Sequence, residues 1–182
     1  MKAGRAKIAL IGAGNIGGAA AYLVAVKELG DVVLFDVVDD MPQGKALDLS
    51  HSAAVLNSSI SIKGTNSYTD IKDADVCIVT AGLASKQGMS RDDLISTNAG
   101  IVNSVTENIL KYSKNPILIV VSNPLDVMTY AAYKMSGFSS QRVIGMAGIL
   151  DTARYRAFLA SALDVSPKDL SLIHISEPTR PY

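Results

Sequence analysis

Residues 7–36 constrain the fold more than any other stretch of the chain. The run Lys7-Ile8-Ala9-Leu10-Ile11, apolar after its first residue, is short enough for one buried strand and ends in Gly12-Ala13-Gly14-Asn15-Ile16-Gly17. An Ala-rich, helix-forming segment follows from Ile16 to Leu29, and a second apolar run, Val32-Val33-Leu34-Phe35, ends at Asp36. A glycine pattern alone is weak evidence, because loops collect glycine for many reasons. Strand, glycine turn, helix, strand and terminal acid in this order form a dinucleotide-binding signature. Gly12 permits the tight turn, Gly14 lets a pyrophosphate approach the backbone, and Gly17 lets the helix pack closely on the strand. The phosphates then sit on unpaired N–H groups at the helix start, where the dipole also favours negative charge. Asp36 accepts hydrogen bonds from ribose hydroxyls and repels a 2′-phosphate, which points to NAD rather than NADP. The simpler alternative is a structural glycine turn with a solvated Asp.

The chain has 182 residues, room for one complete domain or one plus part of another. Hydrophobic residues make up 48% of it, enough for a sizeable core. Lys+Arg and Asp+Glu balance at 17 each, so no overall field favours nucleic acid or an anionic membrane. Apolar runs such as Ile117–Val121 are too short to span a bilayer. Met1–Arg5 carries charge, but the apolar stretch after it breaks at glycines without a cleavage-like site, unlike a signal peptide. The lone Cys77 excludes an internal disulfide and reads as a small buried hydrophobe. These features together predict a cytoplasmic α/β protein with no metal in its chemistry.

Further along, Asp39-Asp40-Met41-Pro42 suits a helix start with capping acids, and that helix runs to about Leu56. His51 on it reads as structural. A short strand is expected near Ile60 to Lys63, then a turn-rich stretch to Asp73. Val76 to Thr80 is uniformly apolar, as for a strand covered on both faces. The loop Ala81–Met89 leaves that strand at its carboxyl end, where ligands of open parallel sheets bind. Ser90, with Asp93 three residues later, opens the next helix. Its apolar stripe is Leu94, Ile101, Val102, Val105 and Ile109, and Asn98 falls on that stripe. Asn98 is therefore either a satisfied core residue or a ligand contact. Ile117 to Val121 forms a fifth strand, closed by Ser122-Asn123-Pro124 at the same carboxyl edge. A helix over Leu125–Met135, a turn at Gly137 and a short strand over Arg142–Gly145 complete the alternation. The expected fold is a doubly wound parallel sheet with right-handed crossovers over residues 1–145.

Residues 146–170 then begin a second, α+β domain with a helix over Gly148–Leu163. Leu150, Ala153 and Ala157 share one face of it, with Arg154 in their midst and Asp151 one turn earlier. The simple reading of that pair is an i,i+3 surface ion pair. A guanidinium on an apolar face is better explained by an anion to bind. Residues 171–182 carry two prolines and no element to join, and read as foreign to the fold (adapter, vector or frameshifted sequence).

The glycine turn, Asp36, the Ser85–Arg91 loop, Asn123 and Asp151-Thr152-Ala153-Arg154 are far more specific together than singly. With Pro42–Asp48, Gly88–Leu94 and Val121–Asp126, they resemble the NAD-dependent malate/lactate dehydrogenase family, most of all its lactate-dehydrogenase-like bacterial malate branch. The likeness runs from about Lys7 to Leu170. It implies a Rossmann sheet whose Gly12, Ala13, Gly14, Asn15, Ile16, Gly17 and Asp36 hold NAD. It further implies that Asn98 and the backbone of Val121, Ser122 and Asn123 line the cofactor site. Arg91 would polarise the carbonyl of a small 2-hydroxy/2-oxo acid, Asn123 would hydrogen-bond its oxygen, and Arg154 would clamp its carboxylate. Asp151 would orient a catalytic histidine. Family members acting on malate usually carry a loop arginine for the second carboxylate, and Ser85 stands where it would align. Their Gly-His-Gly-Asp segment is not found here, and His174 lies in Ile-His-Ile-Ser instead. The expected parent is thus a homo-oligomeric malate dehydrogenase of which this is an N-terminal fragment. A lactate-type enzyme and a non-catalytic NAD-binding module are the alternatives.

Overall fold

The computed structural model describes residues 4–84 and 88–171. Its first unit extends to Gly145 and its second begins at Met146. In the first, six strands form one parallel sheet: β1 (Lys7–Ile11), β2 (Asp31–Phe35), β3 (Ile62–Thr65), β4 (Val76–Val79), β5 (Ile117–Val120) and β6 (Val143–Gly145). Their spatial order is β3-β2-β1-β4-β5-β6. The order reverses between β1 and β4, and this switch point opens a crevice at the carboxyl ends of those strands. Helices α1 (Asn15–Val26), α2 (Met41–Val55), α3 (Arg91–Tyr112) and α4 (Leu125–Ser136) provide the crossovers.

Strand residues alternate between two cores. Ala9, Ile11, Val33, Phe35, Cys77 and Val79 join Leu118 and Val120 beneath Val102, Val105 and Ile109 of α3 and Met128 and Ala132 of α4. Ile8, Leu10, Val32 and Leu34 face the opposite way, onto Ala21, Val24 and Ala25 of α1 and Ala53 of α2. Burial of both faces explains why β1 and β2 lack polar alternation. The expectation of full cover on β4 needs correction, because Val76 and Ile78 are only partly buried. Ile117 and Ile119 of β5 share that partial exposure, and Ile144 of β6 is 46% exposed. Cys77 is buried as a small hydrophobe, and burial pushes its thiol up to about 12.

Several element ends differ from the sequence expectation. Strand β3 lies two residues later than Ile60–Lys63, its register set by pairing Val32 with Ile62 and Phe35 with Thr65. Helix α1 stops at Val26 because Glu28 adopts a left-handed backbone, φ 48°. Helix α2 starts at the expected place, but Asp40 caps it with its carbonyl, which accepts from the Gly44 amide at 3.0 Å, and not with its carboxylate. Helix α3 carries the reciprocal box, with Ser90 Oγ accepting from the Asp93 amide at 3.1 Å and Asp93 Oδ2 accepting from the Ser90 amide at 3.2 Å. That bonding holds the Asp93 carboxyl below the usual carboxylate range.

The second unit contains helix α5 (Gly148–Leu163) and a short 3-10 turn at Pro167–Asp169. Leu150, Ala153 and Ala157 are exposed, so the stripe expected to bury them does not do so, and Ala160 is the buried residue of this helix. Among the described residues, no helix is long and apolar enough to cross a membrane.

Two glycines of one layer have opposite sensitivities. A Cβ on Gly64 of β3 would lie 2.1 Å from the Pro42 carbonyl oxygen, whereas one on Gly44 of α2 meets nothing within 4 Å. Gly64→Ala is expected to lower unfolding free energy by about 1–3 kcal/mol through overpacking. Gly44→Ala is expected to raise it by about 0.5–1 kcal/mol through helix propensity. Urea unfolding of the two variants checks both signs.

Candidate functional site

At the end of β1 the backbone turns at Gly12, φ 114°, and its amide donates to the Phe35 carbonyl at 2.8 Å. A Cβ there would meet Thr80 Oγ1 at 2.6 Å and the Ala81 amide nitrogen at 2.9 Å. A Cβ on Gly17 would lie 1.8 Å from the Gly12 carbonyl oxygen, so α1 approaches the strand as only glycine allows. Gly14 precedes α1 as its N-cap, and a Cβ on it would meet nothing within 4 Å. Asn15 and Ile16 form the exposed first turn. Sterics thus demand glycine at 12 and 17, and at 14 leave open space beside the start of a helix.

The turn is held from two sides. Asp36 Oδ2 accepts from the Ala13 amide at 2.6 Å, and Oδ1 accepts from the Val38 amide at 3.1 Å. Lys45 Nζ, from α2, donates to the Ala13 carbonyl and, at 3.3 Å, to the Gly14 carbonyl. Asn66 Nδ2 donates to the Asp36 and Val38 carbonyls, both at 2.8 Å, and steadies the end of β2. Thr80 Oγ1 closes the opposite wall by donating to the Gly12 carbonyl at 3.1 Å.

These groups border a cavity of about 660 Å³. Gly12, Gly14, Asp36, Val37 and Val38 line one side, and Gly82, Leu83, Thr97, Ile101 and Ser104 the other. Tyr68 closes one part, its ring 3.9 Å from that of Phe35. Burial, then the nearby Asp36 charge, pushes its phenol up to about 12. No lysine or arginine is among the described residues that line this cavity.

Asn98 is satisfied within the fold, as its core reading requires. It is 1% exposed and lies outside the cavity lining. Its Oδ1 accepts from the Leu83 amide at 2.8 Å, while Nδ2 donates to the Leu83 carbonyl at 3.1 Å and the Asn123 carbonyl at 2.7 Å. Through these three bonds to backbone Asn98 ties the loop after β4 to the loop after β5. Ser122 is likewise turned inward, and its Oγ donates to the Ala81 carbonyl. Val121 continues the sheet edge with its amide on the Val79 carbonyl at 2.9 Å, and Asn123 is exposed, its peptide bond to Pro124 being cis.

Arg91 is exposed in the first turn of α3. Ser85 and His174 lie outside the described residues. Asp151 and Arg154 belong to the second unit, where Arg154 donates to Asp151 at 3.2 Å with both side chains more than half exposed. This is the i,i+3 ion pair that the spacing allows, and such pairs contribute at most about 1 kcal/mol.

A family model described as lactate/malate dehydrogenase, NAD binding domain, matches residues 6–145. The chain belongs to the lactate/malate dehydrogenase family. It is 56% identical over 166 residues to a malate dehydrogenase of Pelodictyon phaeoclathratiforme, covering 91% of this chain and 54% of that protein. A malate dehydrogenase of Geotalea daltonii is 57% identical over 167 residues, covering 92% of this chain and 52% of that protein. A lactate dehydrogenase of Cryptosporidium parvum, solved with lactic acid and NAD, superposes with a TM-score of 0.87 at 46% identity, covering 92% of this chain and 53% of that one. The malate dehydrogenase of the same organism gives 0.88 at 48% identity, covering 92% and 53%. The chain therefore spans about half the length of the relatives it matches. Its first unit is the NAD-binding domain of a lactate/malate dehydrogenase.

Lys45, Asn66 and Thr80 are the residues of this domain whose roles the sequence pattern left unassigned. Lys45 stood inside the matching block Pro42–Asp48, but nothing in a helical repeat says which turn of chain its ammonium reaches. Asn98→Ala is expected to cost about 2–4 kcal/mol of stability, since it strands the polar backbone groups of Leu83 and Asn123. Chemical denaturation monitored by circular dichroism checks this, and a loss under 1 kcal/mol would contradict the loop-tying role.

Proposed function

We propose that this chain is the cofactor-binding half of a malate dehydrogenase, which interconverts malate and oxaloacetate by hydride transfer. The observation that carries the cofactor reading is the glycine turn and the Asp36 carboxylate bordering one cavity at the switch point of the sheet. Phosphates rest on the first-turn N–H groups of α1, with Gly14 leaving the backbone open to them. Asp36 takes the ribose hydroxyls, and a 2′-phosphate at that place would meet a carboxylate with no cation among the described lining residues. The apolar wall of Val38, Leu83 and Ile101 suits an aromatic base.

NAD, when bound, takes the hydride from the hydroxyl-bearing carbon. In this reading Arg91 polarises the substrate carbonyl, Asn123 hydrogen-bonds its oxygen, and Arg154 pairs bidentately with its carboxylate. Asp151 orients the histidine that accepts the hydroxyl proton of malate, leaving oxaloacetate. Ala13, Asn15, Ile16 and the backbone of Val121 and Ser122 complete the cofactor contacts. Asn98 acts from beneath by fixing the two loops. A cytoplasmic location, a place in the tricarboxylic acid cycle and a homo-oligomeric complete protein accompany this reading, which itself rests on the likeness to malate dehydrogenases.

The decisive measurement is titration of the chain with both cofactors. NAD(H) should bind at least about tenfold more tightly than NADP(H), one uncompensated charge repulsion being worth about 1.4 kcal/mol or more. Asp36→Ser should narrow that ratio by weakening NAD and relieving NADP. Equal affinities in the unaltered chain would refute the assignment.

The second reading, a lactate-type enzyme, is favoured by one observation, Ser85 in the loop before Arg91. A serine hydroxyl cannot neutralise a second carboxylate, although Lys86 beside it carries the needed charge. In a complete enzyme with this loop, Ser85→Arg should raise the oxaloacetate-to-pyruvate ratio of kcat/KM by about a hundredfold, the scale of pairing a desolvated carboxylate. The 182-residue chain itself, with no histidine in a Gly-His-Gly-Asp context, should reduce oxaloacetate at least about a hundredfold more slowly than its complete relatives. NADH oxidation followed by absorbance reads both.

A further inference from the structure

We propose that Lys45 is the cation of the pyrophosphate site, a positioning residue that works through the glycine turn. The inference rests on the NAD reading above. The ammonium does not line the cavity; it lies behind the turn on α2, with the Ala13 and Gly14 carbonyls as its acceptors. The Ala13 carbonyl shares its peptide unit with the Gly14 N–H, and the Gly14 carbonyl shares its unit with the Asn15 N–H. A carbonyl that accepts from a charged donor polarises its peptide, which makes the N–H at the other end a stronger donor. These are the N–H groups at the start of α1, where intrahelical partners are lacking and an anion is favoured.

The surrounding charges give this device a purpose. Asp36 takes the Ala13 amide at 2.6 Å, which removes one donor from the turn and sets a negative charge beside it. The same carboxylate that selects the ribose therefore opposes the phosphates. No arginine or lysine among the described lining residues offsets it from the cavity side. Lys45 offsets it from the other. Its position is defined against α1 too, since a Cβ on Gly18 would lie 3.9 Å from both Lys45 Cδ and Nζ. Ala13 is thus held at its N–H by Asp36 and at its carbonyl by Lys45, and the next two amides are those that begin α1.

Calorimetric titration of the full chain with NADH, ADP and adenosine tests the assignment. Lys45→Met should weaken NADH and ADP by about tenfold, the scale of one charge-assisted interaction. Adenosine, which has no phosphate, should change by less than about twofold, and Lys45→Arg should retain NADH binding within about threefold. The salt dependence of NADH affinity should also flatten in Lys45→Met. NADH and ADP affinities unchanged in Lys45→Met would overturn the proposal, and so would an equal loss for adenosine, which marks a merely structural role. If Lys45→Met does not fold, Lys45→Gln, neutral but still a donor, is read by the same comparison of ADP with adenosine. Failure of the unaltered chain to bind NADH would instead overturn the NAD reading itself, and this inference with it.

Discussion

The Gly12 carbonyl oxygen occupies the space where any side chain on residue 17 would have to begin. This one close approach lets α1 start directly against the end of β1, and the rest of the site is arranged around it. Because the helix begins there, its unpaired amides face the crevice where the strand order reverses. Because Gly12 bends with positive φ, its amide reaches the Phe35 carbonyl and locks the turn to β2. Asp36 then follows at the point where its carboxylate meets the turn.

The polar side chains around this crevice mostly serve the backbone. Asn98, Ser122, Thr80, Asn66 and Lys45 each donate to main-chain carbonyls of the loops that end the strands. Loops at the carboxyl edge of a parallel sheet lack the ladder that satisfies strand backbone, so buried carbonyls there need side-chain partners. The consequence is a site whose shape depends on side chains that hold its loops in place. Asn98 is the clearest case, joining loops that follow two different strands through one carboxamide.

Burial is uneven across the sheet, and the unevenness follows topology. Helices α1 and α2 cover β1, β2 and β3 on one face, while α3 and α4 cover the other face more widely. Val76, Ile78, Ile117 and Ile119 therefore remain partly exposed although their sequence is as apolar as that of β1. The same composition supports full or partial burial, and only the placement of helices decides between them.

Local chemistry alone determined much of this protein. Alternating apolar runs and glycines specify a parallel sheet with a turn that admits phosphate, and Asp36 at the tip of β2 follows from its place after Phe35. Ser90 and Asp93 specify their cap because both partners lie within one helical turn. What required the tertiary structure involves partners far apart in the chain. Lys45 reaches Ala13 across 32 residues and Asn98 reaches Asn123 across 25. Nothing in a helical repeat reveals whether a polar residue turns toward a ligand or toward another loop. The shift of β3 to Ile62–Thr65 has the same origin, since strand register is set by the neighbouring strand and not by the apolar run itself. On α5, Arg154 and Asp151 pair because they lie one turn apart, a local contact like the Ser90–Asp93 cap. Periodicity encodes which residues share a face; which faces are covered, and which long-range hydrogen bonds form, is decided only when distant segments meet.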